Sequence, residues 1–177
     1  MRWLRLLTGL LVAAVVAACG TPYATVKNKA GEPVMLLGHD PVSYFTKGQP
    51  ERGKAELKVH LPERTYYFAS DAQRRLFVAN PAKYEPQYGG FCSSGAAYAI
   101  KLGSDPTAWT IHDGRLFIFG GAGSKAAFEL DVKANTALAE KYWKEEVAGN
   151  NSFLQRGKRL VFRVPHYKSG EELAKAV

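Results

Sequence analysis

Asn80-Pro81-Ala82-Lys83-Tyr84-Glu85-Pro86-Gln87-Tyr88-Gly89-Gly90-Phe91-Cys92 is the stretch on which the chain turns. Proline lacks the N–H a helix interior needs, and paired glycines admit left-handed backbone, so a helix arriving at this stretch must stop and redirect. Upstream, Ser70-Asp71-Ala72-Gln73 has the residues of a helix start, with Ser70 as N-cap and Gln73 three positions on. Leu76 and Phe77 supply that helix's apolar face, Asn80-Pro81 closes it, and one further turn is expected to end at Tyr84. Downstream, residues 92–100 are small and apolar and predict a tightly packed helix.

Two strand pairs flank this hinge. Leu57, Val59 and Leu61 alternate with Lys58 and His60, and Tyr66 and Phe68 alternate with Thr65, Tyr67 and Ala69, the period of half-buried strands. Pro62-Glu63-Arg64 lies between them as a hairpin loop. Residues 109–112 and 116–119 flank Asp113-Gly114, a strong hairpin signal. Asp40 before Pro41 suits a turn or helix cap, with Pro41 at the first helical position and Val42 and Phe45 on a common side. Residues 124–130 and 135–147 read as helices, residues 160–164 as a strand, and Ser169-Gly170-Glu171-Glu172 as another helix start. The order of elements predicts an α+β fold: small antiparallel β-hairpins packed with several short helices in a single compact domain.

The N-terminus sets the compartment. Arg2 and Arg5 precede a short apolar run over residues 6–18, the anatomy of a secretory signal rather than a membrane span. Val16-Ala17-Ala18-Cys19 resembles the bacterial lipobox. By that resemblance residues 1–18 are a signal peptide and Cys19 is lipidated, with a simple secretory signal or an uncleaved anchor as the alternatives. Gly20 resembles the pattern of outer-membrane sorting, which implies a protein on the outer membrane facing the periplasm. Residues 19–33 then form a tether, residues 34–120 the central domain, and residues 121–177 a C-terminal helical segment and extension. Lipidation leaves Cys92 without a partner in the chain, whose cysteines are these two. Loss of Arg2 and Arg5 lowers the formal charge from +8 to +6, still suited to an anionic envelope polymer or phospholipid surface. An exported chain argues against nucleic acid as partner.

Residues 38–45 (Gly38-His39-Asp40-Pro41-Val42-Ser43-Tyr44-Phe45), Gly53, Tyr66-Tyr67-Phe68-Ala69-Ser70, Phe77, Asn80-Pro81, Tyr84, Pro86 to Gly90 and Cys92 together resemble the YHS-domain family in its longer, secreted form. Trp109 and Asp113-Gly114 fit the family's second hairpin. The resemblance spans about residues 34 to 120. Short members are suspected metal binders with cysteines after the Asp-Pro-Val and Tyr-x-Phe segments. Ser43 and Ala69 stand at those places here, so a thiolate-rich site is not expected.

Three sets of residues are candidates for chemistry. Cys92 is a candidate nucleophile, redox group or soft metal ligand, activated if it heads the following helix; its bland counterpart is a buried small residue. His39 with Cys92, aided by Asp40, is the candidate site for Cu or Zn. Asp40, Tyr44, Tyr88 and Cys92 are the candidate contacts of a small-molecule ligand, and Tyr66, Tyr84, Phe91 and Trp109 either line the same pocket or pack the core. The expected function is a lipid-anchored envelope binding module without catalysis of its own. A thiol enzyme using Cys92 and a non-catalytic module that binds another envelope protein are the alternatives.

Overall fold

The computed structural model describes residues 24–177, so Cys19 and its lipidation lie outside the described residues. One sheet holds Thr25–Lys27 (β1), Pro33–Met35 (β2), Lys54–Leu61 (β3) and Arg64–Phe68 (β4), in the order β1-β2-β4-β3. The β3–β4 hairpin is antiparallel, and Glu63 closes its turn at φ 62°. β2 joins β4 in parallel through Val34 opposite Thr65, and β1 pairs antiparallel with β2 on the outside. The second sheet is the hairpin Asp105–His112 (β5) and Arg115–Phe119 (β6), whose turn residues Asp113 and Gly114 both have positive φ, as the Asp-Gly signal requires.

Eight α-helices surround these sheets among the described residues: Ser43–Thr46 (α1), Asp71–Ala79 (α2), Pro81–Tyr84 (α3), Ser93–Ala97 (α4), Ala122–Glu129 (α5), Val132–Tyr142 (α6), Ser152–Val161 (α7) and Gly170–Ala176 (α8). The architecture is α+β, as the order of sequence signals predicts. Ser70 Oγ accepts the Gln73 N–H at the start of α2, and Asn80 both ends α2 and caps α3. Phe77 on α2 packs against Tyr66 and Phe68 of β4, with Val42 and Tyr84 beside them. Phe117, Phe119 and Phe128 form a second cluster under α4 and α6, and Leu36 and Tyr44 link the sheets through Leu116 and Ile118. Each fully buried side chain of this size contributes about 1.5–3 kcal/mol.

Four expectations need correction. The expected tether is structured in its second half, because β1 pairs with β2 and Ala24 packs against the Gly90 backbone. The helix expected over residues 92–100 stops at Ala97: Ala99 adopts φ 56° and the Ile100 N–H turns back to the Gly95 carbonyl. The helix expected from residue 135 begins at Val132, capped by Asp131, and ends in a wider π turn, Trp143–Val147. The strand expected over residues 160–164 is instead the end of α7 and its exit. Its run of Leu, Val and Phe imitates a buried strand only in composition, since Leu160, Val161 and Phe162 all face solvent.

Candidate functional site

Asp40 is fully buried and committed to backbone. Its Oδ1 accepts the Val42 N–H and its Oδ2 the Ala69 N–H, both at 2.8 Å, while its own carbonyl accepts the Ser43 hydroxyl. The carboxylate thus turns the chain into α1, which starts at Ser43 rather than at Pro41, and ties that turn to the entry of α2. Burial pushes the Asp40 carboxyl above its ordinary range, and the bonds from Ala69, Val42 and Ser43 oppose the push. His39 is also largely enclosed, with Nδ1 against the Leu36 carbonyl at 2.9 Å. Its desolvation lowers the imidazole below its ordinary value, despite that bond.

The aromatic candidates divide among separate packing clusters. Tyr44 donates its hydroxyl to the Pro106 carbonyl and meets Trp109 edge to face. Tyr66 and Tyr84 belong to the core over α2. Tyr88 adopts φ 55°, and Gly89 and Gly90 continue in the left-handed region, so the hinge is three such residues in succession. The Tyr88 ring packs between Phe117 and Trp143, and its buried hydroxyl has no hydrogen bond of ordinary geometry among the described residues. Burial pushes the phenol up to about 12, against the nearby Arg115 cation. Phe91 shares the Lys101 ammonium with Trp143, and desolvation holds that lysine below its ordinary range.

Cys92 caps α4. Its sulfur accepts the Gly95 N–H at 3.5 Å, and its own N–H bonds the Leu102 carbonyl. The residue is 1% exposed and unpaired. His39 and Cys92 therefore have different immediate partners, and among the described residues no group of three or more His, Cys, Asp or Glu could hold a metal ion. Of the four expected ligand contacts, Cys92 lines a sizeable cavity. Asp40, Tyr44 and Tyr88 do not line it.

That cavity, of about 630 Å³, lies between α4, α5 and the C-terminal helix α8. Tyr98, Ile100 and Leu102 form one wall beside Cys92, and Leu173, Ala174 and Val177 form the cover. Among the described residues, Lys168 is the one charged residue along it. A complete capping box fixes the start of α8: Ser169 accepts the Glu172 N–H, and the Glu172 carboxylate accepts the Ser169 N–H. No residue of α8 is buried, so the cover is thin. Sequence reasoning found Cys92 here but missed Tyr98, Leu102 and Leu173, which come from segments about 70 residues apart in the chain.

No protein-family model matches the chain, and neither a curated protein nor a solved structure does. Among the described residues, no helix is long and apolar enough to cross a membrane.

Proposed function

We propose that this chain is an envelope binding module of the YHS-like type, anchored through Cys19, that holds a small amphiphile without transforming it. The observation that carries the reading is the apolar cavity of about 630 Å³ flanked by α8. Sites for small organic ligands commonly have about 300–1,000 Å³ and a mostly apolar lining with few polar groups. The ligand class follows from the walls: an apolar tail against Tyr98, Leu102 and Leu173, and an anionic head near Lys168. The anchor would keep such a module at the membrane where amphiphiles reside.

Saturable binding of a fluorescent long-chain fatty acid to the purified full chain tests this. Ala174→Trp places an indole in the cavity from an exposed position on the cover. The expected result is loss of at least about tenfold in affinity with an unchanged circular dichroism spectrum, equivalent to about 1.4 kcal/mol. Binding that does not saturate, or that Ala174→Trp leaves untouched, excludes the cavity as the site.

A further inference from the structure

α7 is amphipathic with its faces reversed. Gln155 is buried and donates Nε2 to the Ala99 carbonyl at 2.8 Å. Arg159, on the same side, bonds the Glu146 carboxylate and the Phe162 carbonyl. The polar side of the helix therefore holds it to the body. The apolar side looks outward: Phe153 is 66% exposed, Leu154 70%, Leu160 83% and Val161 72%. At 100° per residue these four and Gly157 fall within an arc of about 120°. Among the described residues a Cβ at Gly157 would meet nothing within 4 Å, in keeping with the exposure of the side chains around it. Arg156 and Lys158 border the arc on its two edges, Lys158 with its ammonium also 2.6 Å from the Glu146 carboxylate, and Phe162 just beyond the helix end is exposed as well.

We propose that α7 is an interfacial helix that lays its outward face on an anionic lipid bilayer. A soluble fold gains nothing by exposing a contiguous patch of this size to water. A helix with an apolar face bordered by basic residues is the form that inserts to the headgroup boundary, where long cationic side chains reach back to phosphate. The charge decides between occupants. A second copy of this helix would bring basic borders against basic borders in a chain that stays basic, at +6, even after loss of Arg2 and Arg5, whereas an anionic surface complements them. The contact rests on α7 alone, separate from the cavity and from lipidation at Cys19.

The test uses the full chain with Phe153→Trp, compared with the parent so that signals from the native tryptophans and from residues 1–23 cancel. Vesicles of phosphatidylcholine with phosphatidylglycerol are expected to shift the emission of the added indole to the blue. Brominated acyl chains are expected to quench it, and partition should be on the order of tenfold stronger than into phosphatidylcholine alone. An indole that stays in water with anionic vesicles present overturns the proposal. So does an equal blue shift and equal quenching of the added indole with neutral vesicles, to which an anchor at Cys19 would bring the chain without needing α7. Emission already blue-shifted without vesicles also overturns it, because then residues 1–23 or a second copy cover the face. Leu160→Trp, at the other end of the arc, gives the same readout if the first variant misfolds.

Discussion

At the scale of single residues, the groups that look most chemical are those most occupied by the backbone. Asp40 satisfies two N–H groups from different segments, and no lone pair is needed for a ligand to explain its presence. Asp40→Asn keeps one acceptor and turns an NH₂ toward the other N–H. The expected loss is about 1–3 kcal/mol, read as a lower urea midpoint at constant slope. His39 carries the opposite test. Its folded-state pKa is depressed, so the folded protein binds its proton less readily than the unfolded chain. Its contribution to stability is full above the ordinary value near 6.5 and is lost as pH falls through the lower folded value. His39→Gln should flatten that part of the stability–pH curve, measured by urea titration at a series of pH values.

At the scale of elements, Gly53 shows why the sheet and the Asp40 turn fit together. Its N–H bonds the Gly38 carbonyl, and a Cβ there would stand 2.4 Å from the Tyr67 carbonyl carbon. Gly53→Ala must therefore displace backbone, with an expected cost of about 1–3 kcal/mol in a thermal or urea melt. The hairpins, the Ser70 cap, the Asn80-Pro81 break and the Ser169 helix start were legible in the sequence because each is decided within a few residues. α7 was not: its Leu-Val-Phe-Arg-Val tail has strand composition, and apolar periodicity is ordinarily read as pointing inward. The fate of Tyr44 and Tyr88 was also hidden, since a buried tyrosine and a pocket tyrosine have the same local sequence. Cys92 could be singled out as unusual, yet the cavity beside it depends on where α5 and α8 come to rest.

At the scale of the whole molecule, α8 lies across one of the approaches to Cys92. Ending the chain at Lys168 removes the cover while leaving the aromatic clusters in place. Iodoacetamide is expected to alkylate Cys92 readily in that shortened chain and in urea, but scarcely in the native full chain; peptide mass mapping separates this thiol from Cys19. Equal rates with and without α8 would show that the helix does not gate the cavity. The three-residue strand β1 has a different kind of consequence, a mechanical one. It is an edge strand and holds by three residue pairs, Thr25–Met35, Val26–Val34 and Lys27–Pro33. Tension applied from the N-terminal side meets the Ala24 contact with Gly90 and then those pairs, and can strip them without opening either aromatic core. At about 3.5 Å per residue the peeled segment yields roughly 30 Å of slack. A domain tugged by a moving membrane would thus lengthen at this seam, like a mooring line paying out, before its interior felt the strain.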